Sequence, residues 1–186
     1  MSLLIVGIVV WCIVHLFPSI APTRRQALHA RLGNGYRGLF ALLILASLVL
    51  IVIGWRSAAP SAVYVPPLLG SPAVSVLMLI AFVLFVAARA KTNIKRFLRH
   101  PQLTSIIVWS AAHLLANGDT RSLALFGSLG VWAILEILLI NKREGARDKP
   151  APVPLTGDVI TVIVGAVAFG VIVFSHEYLF GVSALM

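Results

Sequence analysis

Residues 38–55 read Gly38-Leu39-Phe40-Ala41-Leu42-Leu43-Ile44-Leu45-Ala46-Ser47-Leu48-Val49-Leu50-Ile51-Val52-Ile53-Gly54-Trp55, with Arg37 before and Arg56 after. No charge interrupts the run. A stretch of this length and apolarity is a membrane-spanning helix, since about 20 such residues cross the hydrocarbon core. The same reading extends along the chain. Spans are predicted over Leu3–Phe17 (stopping at Pro18), Tyr36–Trp55, Leu68–Ala88, Gln102–Ala116, Ser122–Ile140 and Val159–Ser175. Gln102–Ala116 is one of the two shortest. The prediction is an all-α, polytopic membrane bundle of about six transmembrane helices.

Charge fixes the direction. Of 15 Lys and Arg residues, 13 fall in three gaps: Arg24 to Arg37, Arg89 to Arg99 and Lys142 to Lys149. These gaps follow the first, third and fifth spans, whereas the gaps after the second and fourth hold one arginine each, Arg56 and Arg121. Basic loops stay on the cytoplasmic side. Both termini are therefore predicted outside, in the periplasm of a bacterial inner membrane. The net charge of +9 is explained by this rule and by attraction to anionic lipid, so membrane lipid is the expected partner and nucleic acid is not.

Composition agrees. The chain is 60% apolar and 11% charged, and its mean hydropathy is +1.01. A soluble domain carries about 25% charged residues. Met1-Ser2-Leu3-Leu4 lacks a basic leader, so a cleaved signal peptide is not expected. The single Cys12 excludes an intramolecular disulfide and a multi-cysteine metal site. The expected organisation is a membrane domain over residues 1–143, a Pro-rich cytoplasmic linker over 144–156, and a sixth helix with a periplasmic tail over 157–186.

Five histidines carry the chemical interest. His15 lies before Pro18, His100 opens the fourth span, His113 lies near its outer end, His176 follows the sixth span, and His29 sits in the first basic loop. Thirteen residues separate His100 from His113, a rise of about 19.5 Å and a turn of about 140° in a regular helix. They cannot both bind one metal atom. By depth, His15 pairs with His100 and His113 with His176. Neutral imidazole suits haem iron, zinc or copper, and a bis-histidine haem needs one histidine from each of two helices. The bland alternative is a hydrogen bond to a neighbouring helix or the interface.

Glu136 is the one acidic residue well inside a span. Such a carboxylate pairs with a base or takes up a proton. It is predicted either to orient a histidine through its second ring nitrogen or to pair with a loop arginine such as Arg37 or Arg99. Asn117 and Asp119 form a polar outer turn beside His113, with Asp119 expected to cap the fifth span. Asp158 is expected to cap the sixth. No His-Glu-x-x-His element, haem-attachment motif or phosphate loop is present, and no catalytic residue is assigned.

His100-Pro101-Gln102-Leu103-Thr104 and Trp109-Ser110-Ala111-Ala112-His113-Leu114-Leu115-Ala116-Asn117-Gly118-Asp119 together resemble the signature of the NnrU family. So do His15 with Ser19, Arg31-Leu32-Gly33 followed by Tyr36-Arg37-Gly38, and the Trp132 to Glu136 segment. Two departures stand out: Glu136 where the family often has aspartate, and Leu16 and Phe17 between His15 and its serine. The resemblance covers most of residues 1 to 143. It implies a multi-pass bacterial inner-membrane protein tied to denitrification, that is, to nitrite and nitric oxide reduction. The family also includes 15-cis-zeta-carotene isomerase, a membrane haem b protein that isomerises a double bond in a redox-dependent way. Carried over, haem b becomes the expected cofactor. His113 and His15 become the iron-ligand candidates, with His100 as the alternative, and Glu136, Asn117 and Asp119 become supporting residues. The partners implied are a respiratory or denitrification reductase, served by an assembly or maturation factor, or an apolar polyene, if the chain is an isomerase.

Overall fold

The computed structural model describes residues 1–68 and 71–184. Its helices are α1 (Ser2–Ile20), α2 (Pro22–Leu32), α3 (Asn34–Ser57), α4 (Pro72–Ala87), α5 (Ile94–Phe97), α6 (Pro101–Ala116), α7 (Thr120–Ser122), a π-helical segment Leu123–Gly127, α8 (Ser128–Glu144) and α9 (Leu155–Phe180). Among the described residues four helical stretches are long and apolar enough to cross a bilayer: Ser2–Ile20, Asn34–Ser57, Thr120–Glu144 and Leu155–Phe180. α4 and α6 have 16 residues each, a rise of about 24 Å against a hydrocarbon core of about 30 Å. Large apolar side chains point outward on the long helices, among them Leu42, Ile13, Val167 and Phe174. Water would penalise such a surface and lipid would not, which is the pattern of a membrane helix bundle.

Contacts divide the chain into two units. The first holds Met1–Val65 and Asn117–Gly145. In it α1 and α3 run antiparallel at close range because glycine lets backbone meet backbone. A Cβ on Gly7 would lie 2.8 Å from Ile51 N, and one on Gly54 would run into the backbone nitrogen of Leu4. Leu4, Ile8 and Ile51 form the buried core of this crossing, with Trp11, Cys12, Trp55, Ala124 and Leu125 against it. α8 lies along α1 in the same direction: Trp132 meets Trp11, and further along both helices Glu136 meets Ser19. Beyond α3, Val63 N and Tyr64 N both donate to Gly118 O, at 2.7 and 3.1 Å, joining the end of α3 to the start of α7.

The second unit holds Pro66–Ala116 and Ala146 onward. α4 is antiparallel to α6, with Leu68 N on Leu115 O at 2.9 Å, and antiparallel to α9, with Phe82 against Phe169 and Val83 against Gly165. Asn93 ties the turn after α4 to the linker. Its Nδ2 donates to Val153 O at 2.8 Å and its Oδ1 accepts from Val153 N at 3.0 Å. Arg96 reaches Pro150 O, and Arg147 reaches Lys95 O. The linker is irregular, as its three prolines and Gly145 require, but it is pinned.

Four local expectations are corrected. α1 continues through Pro18 to Ile20, since proline removes one donor and the rest of the turn still closes, with Ala21 N on Phe17 O. The first basic gap is not a loop: Pro22, preset for a first turn, opens α2, which presents Arg24, Arg25, His29 and Arg31 outward. His176 lies inside α9 rather than after it. Asp158 does not cap α9. It sits in the first turn and accepts from Thr92 Oγ1, Asn93 N and Asn93 Nδ2.

Candidate functional site

His15 and His113 share one local device. On α1, His15 Nδ1 lies 3.0 Å from the carbonyl oxygen of Trp11, four residues earlier, and its ring centroid is 4.2 Å from the Trp11 ring. On α6, His113 Nδ1 lies 2.9 Å from Trp109 O and its ring is 4.9 Å from that indole. A carbonyl only accepts, so Nδ1 carries the proton in each and Nε2 holds the lone pair. Backbone donation of this kind fixes tautomer and ring orientation in metal-binding histidines. The two helices therefore repeat Trp-x-x-x-His, at Trp11 and His15 and again at Trp109 and His113. That spacing is visible in the sequence, and it places both rings of each pair on one helical face.

Around His15 the first unit builds an aromatic wall. Trp132 stands 5.0 Å away edge-on and Phe40 5.7 Å away. One helical turn beyond Trp132, Glu136 is 8% exposed and accepts a 2.5 Å hydrogen bond from Ser19 Oγ on its Oε1. Glu136 is within electrostatic range of His15. Arg143 Nη1 reaches Pro18 O at 3.3 Å and Ser19 Oγ at 3.4 Å. The expected partner of Glu136 was a loop arginine or a histidine nitrogen; its hydrogen-bond partner is Ser19, which the helical continuation past Pro18 delivers. Two stripes thus face each other, Trp11-His15-Ser19 on α1 and Trp132-Glu136-Arg143 on α8.

Satisfaction of this seam is incomplete. Trp11 Nε1, Trp132 Nε1 and Glu136 Oε2 are buried with no hydrogen-bond partner. Beside them Cys12, Leu16, Leu123, Gly127, Ser128, Val131, Trp132 and Leu135 line an open groove of about 390 Å³. The π-helical segment supplies its upper wall, and such segments are frequent at functional sites.

The remaining predicted residues fall as follows. His100 belongs to the second unit; its carbonyl accepts the first helical bond of α6, from Thr104 N at 2.9 Å. His176 donates from Nδ1 to Val182 O at 2.6 Å. Asn117 O accepts from Tyr64 Oη at 2.8 Å. Asp119 caps α7, with its Oδ1 accepting from Arg121 N and Ser122 N and its Oδ2 from Ser122 Oγ. Arg121 in turn stacks on Trp55 at 4.5 Å.

Among the described residues no three His, Cys, Asp or Glu side chains gather as a metal-ion cage. Haem iron asks less: one neutral imidazole per axial position, with the macrocycle held by apolar and aromatic contacts. Each of His15 and His113, taken within its own unit, is an imidazole of that kind beside an indole ring.

The family model described as NnrU protein matches residues 3–184. No curated protein and no solved structure matches the chain. The match spans nearly the whole sequence, and the chain belongs to the NnrU family.

Proposed function

We propose that this NnrU-family chain is a haem b protein of the bacterial inner membrane that serves denitrification, the reduction of nitrite and nitric oxide, and that its membrane histidines hold the haem. His113 and His15 are the first candidates as ligands and His100 the alternative. The observation that carries the reading is the paired Trp-x-x-x-His device, in which each imidazole gives its Nδ1–H to a carbonyl of its own helix and keeps its lone pair on Nε2. Bound haem would supply one-electron chemistry and an exchangeable coordination position. The protein would supply ring orientation through the Trp11 and Trp109 carbonyls, exclusion of water by Trp132 and Phe40, and a carboxyl at Glu136 close enough to influence the charge on His15.

Six spans with periplasmic termini go with this reading. α1 and α8 run in the same direction and α3 opposes them, so α4 and α6 together must return the chain to the side it left. Both cross or neither does. Within the first unit Arg143 reaches the end of α1, and within the second the Arg89–Arg99 turn is hydrogen-bonded to Pro150 and Val153.

The test is an absorption spectrum of detergent-purified protein, oxidised and dithionite-reduced, with a pyridine-haemochrome assay. About one haem b per chain supports the proposal, and single replacements of His15, His100 and His113 then assign ligands by loss of the Soret band. A preparation without haem after haem-replete expression sinks it. Capture of a reductase complex by that haem-free protein would indicate the assembly-factor role. The polyene-isomerase role requires haem and turnover of a cis-polyene.

A further inference from the structure

Two segments far apart in sequence cross at one end of the second unit. α4 ends there at Ala87, α6 begins at Pro101 and α9 begins at Leu155, since α4 is antiparallel to both. The crossing collects cations. Arg96 Nε donates to Pro150 O at 3.2 Å, Arg147 Nη2 donates to Lys95 O, and Lys149 Nζ stands 5.1 Å from the centroid of the Phe97 ring. Each guanidinium is held by a neutral carbonyl and keeps most of its N–H donors for another partner. The acids present do not neutralise them. Asp158 gives its oxygens to Thr92 and Asn93. Asp148 is exposed and, among the described residues, makes no ion pair. Residues 89–99 and 147–149 together hold seven basic side chains against that one carboxylate. Like charges gathered this way repel one another, and an anion seated among them turns repulsion into attraction.

Depth and one aromatic ring select the anion. The cluster sits where three helices of a membrane bundle end, which is the level of lipid headgroups. Phe97, in its midst, is 80% exposed. Water penalises such a ring, whereas the boundary between headgroups and acyl chains accommodates it. A soluble anion would use the cations and leave the ring wet; a lipid uses both. We propose that Arg96, Arg147 and Lys149 form a binding site for one anionic phospholipid. Its phosphate oxygens accept from the two guanidiniums and the ammonium, as guanidinium–phosphate pairs do, and its acyl chains lie over Phe97. This is a fixed site, built by the crossing of the turn and the linker. It differs from the diffuse attraction of every basic segment to anionic lipid. The proposal rests on the membrane placement of the bundle and not on haem.

The experiment is native mass spectrometry of the full chain, released from detergent micelles after titration with phosphatidylglycerol or with phosphatidylcholine of the same acyl chains. One phosphatidylglycerol should be retained per chain, about tenfold more tightly than phosphatidylcholine. Each cation at a membrane surface is worth about fivefold in binding. Lys149→Gln alters an exposed side chain that makes no hydrogen bond among the described residues, and should weaken that first lipid about fivefold while circular dichroism stays native. Combined with Arg96→Gln the loss should reach at least about tenfold. Arg24→Gln with Arg25→Gln removes the same charge from α2 and should leave the first lipid unchanged. Excess inorganic phosphate should not displace it. In phosphatidylcholine vesicles the emission added by Phe97→Trp should be quenched by acyl-brominated lipid. Equal retention of the two lipids, equal loss from the two double variants, displacement by phosphate, or added emission quenched only by aqueous iodide would each overturn the proposal. Full displacement by polyglutamate would also overturn it and would point to an acidic protein segment.

Discussion

Gly54 is the position where one methyl group should do most harm. Its missing side chain lets α3 touch the backbone of α1, and an added Cβ would lie 2.5 Å from Leu4 Cα and 2.8 Å from the Leu3 carbonyl carbon. Carbon atoms settle at about 3.5–4.0 Å, so α1 would have to retreat by about 1 Å. The obstruction is backbone, which cannot swing aside as a side chain would. Retreat would loosen Leu4, Ile8 and Ile51, which are 0%, 4% and 8% exposed. Overpacking of this kind costs about 1–3 kcal/mol, with a rigid obstacle placing it near the top. The better helix propensity of alanine offsets about 1 kcal/mol. A net loss of about 1–2 kcal/mol remains, which is about 5–30-fold in the folded-to-unfolded ratio. Gly38, on the same helix, has nothing within 4 Å of a built Cβ. Gly38→Ala is therefore the control, gaining propensity with no clash. Reversible unfolding of both variants in mixed detergent micelles, followed by circular dichroism, gives the comparison. If Gly54→Ala and Gly38→Ala unfold at the same denaturant fraction, the close crossing of α1 and α3 is wrong.

Asn93→Ala removes both hydrogen bonds to Val153 and those of its side chain to Asp158, so the linker should come loose. Trypsin should then cut after Arg147 several-fold faster than in the native chain, with the helices intact. Glu136→Ala leaves the Ser19 hydroxyl without its acceptor, at a cost of about 1–3 kcal/mol. Glu136→Gln keeps an acceptor and should cost under about 1 kcal/mol by the same reasoning; detergent unfolding of the pair reads the difference. On α9, Gly165→Ala would place a methyl 2.8 Å from Val83 Cα and should destabilise by about 1–3 kcal/mol, whereas Gly170→Ala, with open space around it, should be neutral by thermal denaturation.

The apolar runs made the helices legible because length and hydrophobicity suffice to specify a span. Each predicted span contains a helix, and the errors lie at the ends, where composition says least. Pro18 misled because a proline near the end of a helix removes one bond without ending it. α2 was hidden because its basic residues read as loop, while its helix rests on Pro22 at the start and the ring of His29 against Tyr36. Asp158 looked like a cap from its neighbours in sequence; its partners Thr92 and Asn93 are 66 and 65 residues away. The Ser19–Glu136 bond spans 117 residues. No periodicity reports such a pair, although both residues stood in segments that resemble the family.

What separates the seam of α1 and α8 from an ordinary lipid-embedded helix pair is the cost of its polar atoms. Two helices could pack there with leucine alone, and lipid would not object. Instead the chain places two indoles, an imidazole and a carboxyl in one stretch, and leaves a buried hydrogen-bonding position unmet on three of them. Stability does not explain that choice, since apolar replacements of similar volume would be neutral or better. Ser47 shows the alternative, its hydroxyl folded back onto Ile44 O at 2.7 Å within its own helix. Where the chain merely tolerates a polar side chain it satisfies it locally. At Trp11, Trp132 and Glu136 it does not, and the unmet atoms are sealed inside the seam.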